Sequence, residues 1–166
     1  MTSKIGFGGG CHWCTEAVFS VINGVEKVEQ GWIKSTKPYD TYSEAVIVHY
    51  NPKMIALSTL LKIHLETHSS TANHSMRTKY RSAVYYFKEE DMHISQALLK
   101  QYSATDKKAY ITQVLPFISF KKNREQFLQY FEKNKNAPFC RTYIHPKISL
   151  VKEKFPNHFR KQSTRE

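Results

Sequence analysis

The chain has 166 residues, a net charge of +11, a hydrophobic fraction of 40% and 22 aromatic side chains, with no apolar run near the ~18 residues that cross a membrane. One soluble globular domain fits these values, large enough to bury about two thirds of its unfolded surface without disulfide staples; a membrane-spanning chain does not. The opening MTSKIGFGGG lacks the apolar core of a secretory signal, so a reducing cytoplasm is expected, where three cysteines point to reactive thiol chemistry.

Residues 4–8 (KIGFG) alternate as a short strand that ends in glycines. From His12 to Ile22 apolar residues recur at spacings of three and four, and Asn23-Gly24 supplies a stop, which predicts a helix. Residues 25–34 and 43–50 are predicted strands joined by a turn-rich STKPYDT, and in the second Glu44, Val46, Val48 and Tyr50 share a face. Beyond Pro52, residues 56–67 carry a helical stripe of Leu57, Leu60, Leu61 and His64. A polar loop leads to a strand at 82–87, a helix at 89–104, a strand at 110–120 and a last helix at 124–133. The order predicts an α+β fold: a two-layer sandwich of ferredoxin-like, split βαβ type with an extra C-terminal segment. One catalytic domain is expected over 1–155. Residues 156–166 form the end of a segment with six basic and two acidic residues from 147, so they are expected to be a basic, flexible tail. The positive charge is assigned to solubility and weak attraction to anions, with no nucleic-acid and no membrane partner.

Cys11-His12-Trp13-Cys14 follows three glycines where a strand gives way to a helix. Unpaired N–H groups and the positive helix end favour an anion there, which should make a cysteine a stronger acid and its thiolate a nucleophile. The C-x-x-C spacing also fits thiol–disulfide oxidoreductases, but it comes after one strand and without a preceding βαβ unit. No phosphate-binding G-x-x-x-x-G-K-[ST] is present, and His64 and His68, in HLETH, do not form H-E-x-x-H. No metal and no cofactor are expected.

The segment GGGCHWCTEAVF resembles the G-C-F-W motif of the peptide-methionine (S)-S-oxide reductases, the A-type methionine sulfoxide reductases. INGVEKVEQGW is similar to the family segment that ends in G-Y, SEAVIVHYNP to H-A-E-A-V-x-V-x-Y-x-P, LLKIHLETH to L-L-x-x-F-x-x-x-H and TKYRSAVYYF to T-Q-Y-R-S-A. NAPFCRTYIHPKISLVKEKF resembles the tail of members with Y-C followed by V-I-x-P-K, so the likeness covers about 4–155. It implies reduction of methionine S-sulfoxide, free or in proteins, by a monomer that thioredoxin recycles.

By the same resemblance Cys11 attacks the sulfoxide sulfur and becomes a sulfenic acid, and Glu44 donates the proton to oxygen, kept protonated by desolvation. Tyr80 points its hydroxyl at that oxygen and Tyr39 is a second such tyrosine. Trp13 walls the methyl pocket together with the residue at His12. Cys140, on a loop-like segment after Pro138, is the preferred recycling thiol; Cys14, one helical turn from Cys11, would need local distortion to reach it.

Four features depart from the family pattern. His12 stands where phenylalanine is usual, and a protonated ring there would lower the Cys11 pKa. Ser75 replaces an aspartate, the 33–43 stretch is short, and Phe127-Leu128 replaces His-Gln. Two other functions compete: a general thiol–disulfide oxidoreductase using Cys11 and Cys14, and a divergent binder of oxidised methionine without turnover.

Overall fold

The alternation in KIGFG produces β1 (Ser3–Gly8) in the computed structural model, which describes residues 1–160. The chain continues through α1 (His12–Ser20), β2 (Val25–Lys34), β3 (Ser43–Tyr50), α2 (Leu57–Thr67), β4 (Ala83–Tyr86), α3 (Glu89–Asp106), β5 (Gln113–Pro116) and β6 (Ser119–Lys122). A 3-10 turn (Glu125–Phe127), α4 (Tyr130–Lys133), a π-helical turn (Cys140–Ile144) and α5 (His145–Lys154) complete it. The architecture is mixed α+β, with one six-stranded sheet in the order β5-β4-β1-β3-β2-β6. Every pair is antiparallel except β4 with β5.

Period-two alternation divides the sheet into two faces. Ile5, Phe7, Val46, Val48 and Val84 meet Val18 and Phe19 of α1 and Leu60, Leu61 and Ile63 of α2 in the main core. Phe7 stacks on Phe19 with centroids 4.8 Å apart, and each such buried side chain contributes roughly 1.5–3 kcal/mol. The other face holds Ile33, Ala45, Ile47, Ala83 and Tyr85. Between α1 and β2 the chain turns at Gly24, whose φ of +94° suits glycine and whose missing Cβ would sit 2.8 Å from Ile55.

β1 is central, and this placement creates the site. Its last residue, Gly8, pairs with Ala45 on one side and Ala83 on the other. Glu44 and the TKYRS segment therefore arrive on either side of the glycine run that enters α1.

The expected strand at 110–120 is two strands on opposite sheet edges. Phe117 N–H donates to Tyr86 O and Ile118 N–H to Lys34 O, so within two residues the chain passes from the end of β4 to the end of β2. The sheet must be rolled for those edges to meet, a closure that local periodicity cannot encode. The expected helix at 124–133 breaks at Gln129, which has a φ of 52°. There the Glu16 carboxylate of α1 accepts the N–H groups of Gln129 (3.0 Å) and Tyr130 (3.2 Å), capping α4 from outside.

α5 lies beyond the last expected helix, and its apolar residues Ile148 and Val151 join the main core. The end of the chain departs from a tail beginning at 156. Phe159 bridges Ile22, and the Arg160 guanidinium donates to the carbonyls of Ser20 and Ile22 at the end of α1 and of Val25 at the start of β2. Residues 161–166 of the expected tail lie outside the described residues.

Candidate active site

The glycines before α1 do different jobs. A Cβ on Gly9 would stand 2.4 Å from the His68 ring and one on Gly8 2.9 Å from Arg81 O, so both let the chain pass close to its neighbours. Gly10 has nothing within 4 Å of the same point, which leaves the approach to the next residue open.

That residue, Cys11, is the N-cap of α1 with φ −57° and ψ 130°. Its backbone is therefore not yet helical, and the free N–H groups of the first turn converge on its side chain. The Cys14 thiol hydrogen-bonds its sulfur and the N–H groups of Trp13 and Cys14 add to this, holding the Cys11 thiol below its ordinary pKa against burial and the Glu44 charge. Cys14 responds in the opposite sense: the same hydrogen bond, followed by burial, raises its pKa strongly. The two opposite shifts favour ionisation of Cys11 over Cys14.

Cys11 and Cys14 open on a cavity of about 430 Å³ that Tyr80, His68, Phe139 and Lys147 also line. Lys147, at the start of α5, donates its ammonium to Thr67 O. Burial lowers its pKa while Cys14 and Cys11 pull the other way. Sequence reasoning missed Lys147 because nothing in I-H-P-K marks a thiol partner, although a lysine sharing the resembling tail with Cys140 is a usable signal. His64 and His68 stack at 4.1 Å, with His64 Nε2 on Gly8 O and His68 Nε2 on the Ser82 hydroxyl. Among the described residues no group of three His, Cys, Asp or Glu side chains is placed to hold a metal ion.

Glu44 is buried at the start of β3 on the face of Val46 and Val48, as its alternation predicts. Its Oε1 accepts the His12 backbone N–H at 3.3 Å and lies 3.4 Å from His12 Nε2; Oε2 is 3.7 Å from the exposed Lys79 ammonium. Tyr80, one residue beyond Lys79, faces the cavity.

Four assignments change. Tyr39 lines a separate cavity with Arg77 and Arg81, and its hydroxyl is held by Gln113, so it does not join Cys11. Trp13 stacks on Tyr130 at 3.9 Å and meets Phe139 edge-on at 5.5 Å; it supports the cavity wall from behind instead of lining it. His12 points away from the cavity, and burial lowers its pKa against the pull of Gly31 and Glu44. The ring is neutral at pH 7 and supplies no positive charge to Cys11. Cys140 is not on a loop: it is fully buried in the π-helical turn, packed with Cys14, Phe131 and Ile144.

The order of the thiols also differs from expectation. Because Cys11 is a cap with extended backbone, Cys14 reaches its sulfur with the helix intact. Cys11, Cys14 and Cys140 belong to a single cluster, and Cys14 is close enough to both of the others for each to raise its pKa.

A family model described as "Peptide methionine sulfoxide reductase" matches residues 3–159. The chain is 32% identical over 164 residues to "Peptide methionine sulfoxide reductase MsrA" of Sulfolobus acidocaldarius, covering 90% of this chain and 93% of that relative. It is similar to the reduced form of Mxr1 from Saccharomyces cerevisiae, with a TM-score of 0.73, 21% identity, and 86% and 91% of the two chains covered. Mxr1 in complex with Trx2 superposes with a TM-score of 0.62 at 21% identity over 78% of this chain and 84% of that one.

Proposed function

The chain belongs to the peptide methionine sulfoxide reductase family and is an enzyme that reduces methionine sulfoxide, and on that premise we propose how its own residues carry the reaction. The Cys11 thiolate attacks the sulfoxide sulfur in the cavity. Glu44 gives a proton to the oxygen, the hydroxyl passes from the methionine sulfur to the Cys11 sulfur as the bond between the two sulfurs breaks, and methionine leaves with Cys11 as a sulfenic acid. Tyr80 orients the oxygen from the cavity wall. The observation that carries this reading is a cap, Cys11, whose pKa is held down and which shares a cavity with Tyr80, while the buried Glu44 carboxyl, which does not line that cavity, reaches the same turn by accepting the N–H of His12, the next residue.

For recycling we propose Cys14 as the resolving thiol, in place of Cys140. Its sulfur attacks the sulfenic sulfur, a Cys11–Cys14 disulfide forms and water leaves. The hydrogen bond between the two thiols and the complete burial of Cys140 support that choice. Thioredoxin then attacks the more accessible Cys11 sulfur and Cys14 departs as a thiolate beside Lys147. The similarity to Mxr1, solved with Trx2 bound, supports thioredoxin as the reductant. We further read selectivity for the S epimer, a split βαβ core in the β4-β1-β3-β2 portion of the sheet, and a monomer in a reducing compartment. Support for the core is the antiparallel pairing of those four strands; for the compartment it is three free thiols.

The test is a count of methionine formed per protein from each sulfoxide epimer of a blocked methionine. The parent should form many equivalents from the S epimer with dithiothreitol and one without. Cys11→Ser should form none, and Glu44→Gln should react about 10²-fold more slowly or worse. Disulfide exchange with no sulfoxide consumed would instead favour a general oxidoreductase, and binding without product a non-catalytic role.

A further inference from the structure

Residues 73–80 contribute to two cavities. His74, Met76 and Tyr80 line the one that holds Cys11, whereas Arg77 and Thr78 line a second of about 500 Å³, completed by Tyr39, Thr41, Arg81 and Gln113. The two spaces share this segment as a wall. Arg77 fastens the wall to the approach of Cys11: its Nη1 donates to Gly9 O and to Tyr80 O, both at 2.9 Å. Its remaining contacts are to the carbonyls of Ser69 and Ala72.

The charge of the second cavity is one-sided. Arg81 is only 5% exposed, yet its partners are neutral: the Tyr85 hydroxyl at 3.3 Å, Thr41 O at 2.8 Å and the Thr41 hydroxyl at 3.1 Å. The Tyr39 ring lies 5.6 Å from its guanidinium carbon. These contacts leave N–H groups over, that of Nε among them. Among the described residues neither arginine forms an ion pair. No acid lines the cavity, and Asp40, the nearest in sequence, is exposed. Burial lowers the Arg77 pKa and no acid opposes it. A guanidinium cannot shed its proton, so burial without a counter-charge is costly. The groove between α1, β2 and α4 is different, since Glu16, Glu26 and Glu29 there face Lys27, Lys133 and Arg160. Gln113 donates to the Tyr39 hydroxyl, which leaves that O–H as a further donor. Positive charge and donors without acids are the chemistry that recognises a carboxylate.

We propose that the second cavity is a subsite for a carboxylate of the oxidised protein itself, an Asp or Glu side chain close in sequence to the methionine sulfoxide. The proposal rests on the reading of the Cys11 cavity as the sulfoxide site. The shared wall argues for a carboxylate on the same polypeptide: one chain segment is about 5–10 Å across, which about two to three extended residues span. The net charge of +11 favours the same encounter. Arg77 and Arg81 touch no reacting atom in this arrangement, so the subsite strengthens binding and leaves bond-making to Cys11.

The test uses two blocked peptides, each with one methionine S-sulfoxide and with either Glu or Gln two or three positions away. With dithiothreitol as reductant, the parent should show kcat/KM about tenfold higher on the Glu peptide, with the gap in KM. In Arg81→Gln the ratio should fall to about one. Thr78→Glu, which adds a carboxylate to the lining from an exposed position, should do the same and keeps the test alive if Arg81→Gln does not fold. The ratio is taken within each protein, so a general loss of activity cancels. In nuclear magnetic resonance the Arg81 Nε–H signal, assigned by its loss in Arg81→Gln, should shift with the Glu peptide and not with the Gln peptide. Added glutarate should raise KM for the Glu peptide alone. Equal kcat/KM for the two peptides in the parent overturns the proposal. Glutarate that alters both peptides equally overturns it as well, by assigning the cavity to a free acid. If neither peptide is reduced, the sulfoxide reading itself fails and the role in substrate choice goes with it.

Discussion

The first turn of α1 has two unlike sides. Toward the cavity it presents Cys11 and Cys14, with Lys147 across the space and Cys140 behind, groups whose hydrogen bonding and charge change as sulfur is oxidised and reduced. Toward the sheet it presents His12 and, a turn later, Glu16, locked to Gln30, Asn123, Gly31 and the start of α4 by contacts that leave one arrangement open. The difference teaches a division of labour: the thiol side must tolerate several states, while the polar side holds one geometry next to it. Changes on the first side should alter how the enzyme cycles; changes on the second should alter how firmly the first turn of α1 is held.

The largest break comes from the thiol side. Cys14→Ser should keep one equivalent of methionine per protein and lose thioredoxin-driven cycling by about a hundredfold or more, because the sulfenic acid has no neighbouring thiol to condense with. Cys140→Ser should cycle within a few-fold of the parent. The reverse pattern would restore Cys140 as the resolving thiol and require α5 and its π-helical turn to move.

How much of this was legible depends on how local each signal is. β3 follows from its alternation and β2 from its place before the turn-rich STKPYDT, and their bounds match the strands read at 25–34 and 43–50. Cys11 is marked by its own neighbours, the glycines and the helix start. His12 was visible as an odd residue but not as a neutral one, because its state is set by Asn123, 111 positions away, and by a carbonyl on β2. Tyr39 fails for the same reason in reverse: the resemblance implies a role for it, but Gln113 on β5 decides where its hydroxyl goes. The α5 pattern was hidden by lysines, although Ile144, Ile148 and Val151 recur at helical spacing and are the residues that pack inward.

A second prediction sharpens the contrast through stability. Burial pushes the His68 pKa down to about 4, and His64 moves in the same direction, so both are neutral in the folded chain. Unfolding restores an ordinary value near 6.5, and below it the unfolded state binds more protons. The stabilisation is complete above that value and is lost as pH falls toward about 4, where folded His68 also takes up its proton. For His68 alone the loss is about 3 kcal/mol. Urea unfolding midpoints between neutral pH and about pH 4 should fall steeply in the parent and less so in His68→Gln. Parallel curves for the two proteins would assign the acid sensitivity elsewhere.

The smallest expected effect tests whether the cavity side uses its buried cation. Lys147 is held by Thr67 O and faces the sulfurs from α5. When a reductant opens a Cys11–Cys14 disulfide at Cys11, the departing Cys14 sulfur becomes an anion in a place that otherwise disfavours one, since the contact with Cys11 and then burial raise its pKa. A nearby ammonium lowers the pKa of that leaving thiol, and a thiol of lower pKa leaves faster. Lys147→Met keeps the length and packing of the side chain but not the charge. Stopped-flow reduction of the disulfide by dithiothreitol should slow by about tenfold in this variant, while single-turnover formation of methionine, which creates no charge on Cys14, should change little. If both steps slowed together, Lys147 would be holding the whole cavity in shape, and the separation between a redox side and a structural side of α1 would no longer stand.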